Sequence, residues 1–125
     1  MEVVGVEQRP PPLRRPVLLA AFRGWNDAGE AASGTVSALA DSLGAERFAG
    51  IDAEEFFDFQ ATRPTVQLAD SDRRIDWPVN RFSWAELPGS PHQAVLLDGT
   101  EPNLRWRTFA DGVVGLAAEL GVELV

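Results

Sequence analysis

Residues 17–32 read Val17-Leu18-Leu19-Ala20-Ala21-Phe22-Arg23-Gly24-Trp25-Asn26-Asp27-Ala28-Gly29-Glu30-Ala31-Ala32. The first six are almost continuously apolar, the pattern of a strand buried on both faces. The next eight are loop-like. From Ala28 onward Ala28, Ala32, Val36, Leu39 and Leu43 recur at spacings of 4, 4, 3 and 4, one face of a helix that Gly44 should stop. Strand, tight loop and helix start are the unit from which α/β folds are built, and ligands commonly sit at that loop. Within it Asp27 and Glu30 have the spacing of a capping box, with Asp27 as N-cap and Glu30 reaching back from the third helical position.

A second unit of this kind lies downstream. Ala94-Val95-Leu96-Leu97-Asp98 is a buried-type strand, and Gly99-Thr100-Glu101-Pro102-Asn103 is its loop, with Asn103 as the expected N-cap. Trp106, Phe109, Val113, Leu116 and Leu120 then recur at 3, 4, 3 and 4 up to Gly121, which predicts a helix with Trp106 in the core. Val122-Glu123-Leu124-Val125 reads as a strand just begun. Between the two units, residues 46–51 predict a strand and residues 80–87 another. Thr65-Val66-Gln67-Leu68 and Arg74-Ile75-Asp76-Trp77 predict a hairpin around a turn at 69–73, bracketed by Pro64 and Pro78. Residues 1–15, with Arg9-Pro10-Pro11-Pro12, predict an extended Pro-rich arm, and 16–125 the amino-terminal part of one domain that continues further. The expected architecture is therefore α/β and three-layered: a mostly parallel central sheet with helices on its faces, plus an antiparallel hairpin, incomplete within these residues.

Composition narrows the chemistry. The 125 residues are 45% hydrophobic, enough for a real core. No apolar run approaches the ~20 residues of a membrane helix. Nineteen acidic residues against eleven basic ones give a net charge of −8, which disfavours nucleic acid as a partner. Every basic residue is arginine, so neither a Schiff-base lysine nor a P-loop lysine is available. Cysteine is absent, which removes thiol catalysis and cysteine-ligated metals and fits a cytoplasmic protein. His92 is the single histidine, and no G-x-S-x-G elbow accompanies it. Asp70-Ser71-Asp72 lacks the glycine and distal glutamate of a calcium loop. No catalytic set, metal site or cofactor is expected.

If both buried strands are parallel in one sheet, their loops share its carboxyl edge. That edge would gather Arg23, Trp25, Asn26, Asp27, Asp98, Glu101 and Arg105 as a candidate pocket or interface. Trp25 is the unexpected member, a large ring between a glycine and an asparagine, placed either as a lid or as a contact surface. Residues 52–59 interleave acids with Phe56, Phe57 and Phe59, and read as core rings beneath a solvated acidic face.

Phe22-x-Gly24-Trp25-Asn26-Asp27-Ala28-Gly29-x-Ala31-Ala32, Arg63-Pro64, Arg74-Ile75-Asp76-Trp77-Pro78, and Leu97-Asp98-Gly99-Thr100-Glu101-Pro102-Asn103-x-Arg105-Trp106 occur in that order. Together they resemble the bacterial, actinobacterial-type branch of the proteasome assembly chaperone family, the branch related to the second eukaryotic assembly chaperone. The resemblance implies a phosphorylase-like α/β fold, oligomers, no established enzymatic activity and no catalytic residues to carry over. It implies a protein partner, proteasome subunits or a second copy of the chain. The alternative from the loops alone is a nucleoside- or phosphate-type binding protein or enzyme with its pocket at the carboxyl edge.

Overall fold

The structure, a computed structural model, describes residues 3–24, 31–52, 56, 65–69, 72–76 and 80–125, with strands 65–69 and 72–76 described by backbone alone. In chain order the elements are β1 (Val4–Val6), β2 (Val17–Arg23), α1 (Ala31–Leu43), β3 (Glu46–Ile51), β4 (Thr65–Ala69), β5 (Asp72–Asp76), β6 (Asn80–Glu86), β7 (Gln93–Thr100) and α2 (Trp106–Leu120). Five strands form one sheet in the order β1-β3-β6-β7-β2, and β4 pairs with β5 separately.

The sheet is mixed and mostly antiparallel, not mostly parallel as the strand patterns suggest. β1–β3, β3–β6 and β6–β7 are antiparallel, and β2–β7 is the parallel pair. Two things account for this. The short link from β6 to β7 can join only antiparallel neighbours, because a parallel return needs a crossover of a dozen or more residues. The continuous apolar run of β7 arises because helices cover both faces of the sheet, which buries a strand whatever the direction of its neighbours. Leu18, Val95 and Leu97 point to the face that holds Phe109 and Leu116 of α2. Ala21, Ala94 and Leu96 point to the other, against Val36 of α1. Val95, Leu96 and Leu97 are essentially inaccessible, and each contributes roughly 1.5–3 kcal/mol of burial.

The α2 face carries the larger core. Phe56 is fully buried and meets Phe109 edge-on at 5.5 Å; Phe22 meets Phe109 at 6.0 Å. Phe56 is thus a core ring, as its acidic-aromatic surroundings suggest, while Phe57 and Phe59 lie outside the described residues. After Gly121, whose φ of 74° ends α2, the chain returns to β2: the Leu18 N–H donates to Leu124 O at 2.8 Å in a parallel bridge. This is the strand start expected at 122–125.

Other expectations shift. Val4–Val6 of the amino-terminal segment is an edge strand on β3. The expected turn at 69–73 is shortened, because Ala69 and Asp72 pair as strand residues. In α1 the buried residues are Ser33 and Val36, while Ala32 is exposed. Alanine's small apolar area is too weak to set the rotation of the helix, and Ser33 is small enough to lie against the sheet. Trp106 is 55% exposed rather than core; it heads α2 at the margin of the stripe whose centre is Phe109 and Leu116. Asn103 is not the N-cap of α2. Arg105 is, in a left-handed conformation (φ 57°) and without a side-chain cap bond.

Candidate functional site

Because β2 and β7 are adjacent and parallel, with Arg23 in register with Thr100, the segments that follow them leave the sheet at one edge. The Glu101 N–H donates to the Arg23 carbonyl at 2.9 Å, extending the ladder beyond the strands. Among the described residues this edge holds Arg23 beside Asp98 and Gly24 against Glu101, while Arg105 lies against Phe56. Trp25, Asn26 and Asp27, and with them the Asp27–Glu30 capping box, lie outside the described residues.

On the α1 face of the edge, the Arg23 guanidinium donates from Nη1 to Asp98 Oδ1 at 2.8 Å and to the Gly99 carbonyl at 3.4 Å. Side-chain exposures of 39% and 26% make this a half-buried pair, still partly screened by solvent. Arg81 stands in register with Asp98 on the neighbouring β6 and is exposed.

On the α2 face, the organising residue is one that the motifs did not single out. Asn80, 1% exposed, donates from Nδ2 to the Thr100 carbonyl at 3.4 Å and accepts from the Thr100 N–H at 3.2 Å. The β6–β7 ladder ends at Arg81 and Asp98, so this carboxamide takes over the pairing of the next β7 backbone unit. It fits because residue 99 is glycine: a Cβ there would collide with Asn80 Oδ1 and stand 2.9 Å from Phe22 Cδ1. The sequence did carry a signal, since Asn80 occupies an inward position of the alternation Asn80, Phe82, Trp84, where an apolar residue is the norm.

Gly24 is fixed similarly. Its φ of 152° disfavours a side chain, and the Glu101 side chain fills the space where a Cβ would be, with Cγ 2.8 Å away. Beyond Glu101, the N–H groups of Asn103 and Leu104 both donate to the Phe56 carbonyl, at 2.8 and 3.0 Å. The Arg105 guanidinium then lies 5.8 Å above the Phe56 ring.

The edge is therefore a set of mutually engaged groups. No group of three or more His, Asp or Glu side chains among the described residues is placed to hold a metal ion. His92 sits at the opposite end of β7, with Nδ1 2.8 Å from the Arg15 carbonyl. Six residues of strand separate it from Asp98, roughly 20 Å, so the two do not form a dyad. No described helix is long and apolar enough to cross a membrane.

The sequence model of the PAC2 family matches residues 21–125. Among solved structures, a PAC2 family protein of Streptomyces avermitilis is 48% identical with a TM-score of 0.78 over 87% of this chain and 47% of its own. A proteasome-assembly chaperone homologue of Mycobacterium tuberculosis is 42% identical with a TM-score of 0.76, again over 87% of this chain and 47% of its own. A Corynebacterium glutamicum protein of unknown function is 27% identical with a TM-score of 0.85 over 98% and 48%. The chain thus spans about half the length of the solved structures it matches. No curated protein matches it.

Proposed function

The chain belongs to the PAC2 family, and from that membership we propose that it is a non-enzymatic, protein-binding module of the assembly-chaperone type, acting in the cytoplasm. The observation that carries this reading is the pairing of Arg23 with Asp98 at the carboxyl edge. The cation and the carboxylate best placed to meet a small substrate neutralise each other, and the loop groups beside them hold the edge together. The 42% identity to a proteasome-assembly chaperone homologue supports a protein partner. We take proteasome subunits as the first class to test and a second copy of the chain as the next.

The test is affinity capture from a lysate of the source organism with the full-length protein as bait. Proteasome subunits should be enriched over a mock bait, and their absence from the eluate counts against the reading. A thermal-shift screen with nucleosides, nucleotides and phosphate addresses the small-molecule alternative. Melting temperatures should stay flat, and a saturable rise that disappears in Glu101→Ala would favour the alternative instead.

A further inference from the structure

We draw no further inference here: the strongest candidate, the open cleft of about 430 Å³ along β1 and β3 that is lined by the directly opposed Gly5 and Gly50 and flanked by the Arg47–Glu7 ion pair, has its one cation already paired, and nothing in the structure shows what covers that part of the sheet.

Discussion

The carboxamide of Asn80 replaces a ladder partner for Thr100, bonding both its N–H and its carbonyl from a site 1% exposed. Removing it leaves the half-buried Thr100 N–H and carbonyl without these partners. Asn80→Ala should lower stability by about 2–4 kcal/mol, combining unsatisfied polar groups with a small cavity. Asn80→Asp should also destabilise, because it loses the donor to the Thr100 carbonyl and places a carboxylate in the core. Urea unfolding curves read both, and a loss below about 0.5 kcal/mol for Asn80→Ala would show that the carboxamide is not the structural partner described here.

Gly99→Ala should be coupled to the same residue. The new methyl group would occupy the space of Asn80 Oδ1 and press on Phe22. Overpacking of this kind costs about 1–3 kcal/mol. In an Asn80→Ala background part of that cost should vanish, so the double variant should be more stable than the sum of the single effects allows. Strict additivity would argue against the contact.

The Arg23–Asp98 pair predicts a smaller, salt-dependent effect. Both side chains are more than a quarter exposed, so screening limits the pair to about 1 kcal/mol. A double-mutant cycle with Arg23→Ala and Asp98→Ala should give a coupling of that order at low ionic strength, shrinking as salt is raised. A coupling that is absent at low salt would show that the two groups are held apart in solution.

Three helical glycines should respond with opposite signs. A Cβ at Gly34 or Gly115 would meet nothing within 4 Å, so alanine there should stabilise by about 0.5–1 kcal/mol through helix propensity and a stiffer unfolded chain. At Gly112 a Cβ would run into the Val3 side chain, where the segment before β1 packs on α2. Gly112→Ala should therefore destabilise despite its better propensity. Thermal melts of the three variants decide it, and a stabilised Gly112→Ala would mean that Val3 moves aside freely.

Several elements were legible because local pattern and burial agree. The apolar runs at 17–22 and 94–97 are strands, residues 46–51 form the expected strand, and Gly44 and Gly121 end the helices in left-handed conformations. The shared edge of Arg23, Asp98 and Glu101 was conditional on β2 and β7 lying parallel, because a strand's exit loop is fixed by its direction in the sheet. Strand direction itself was not legible, since an apolar run records only that both faces are covered. Asn80 escaped notice because its partner is a backbone unit twenty residues away.

By itself, then, the sequence determined where the chain is extended, where it is helical and which glycines end the helices, since these follow from periodicity and backbone freedom within a few residues. The tertiary structure alone decided that the sheet is mostly antiparallel, that Asn80 rather than an apolar residue sits opposite Gly99, and that Trp106 faces outward. Each of these depends on how an element is rotated and what packs beside it, a long-range relation that no local spacing encodes.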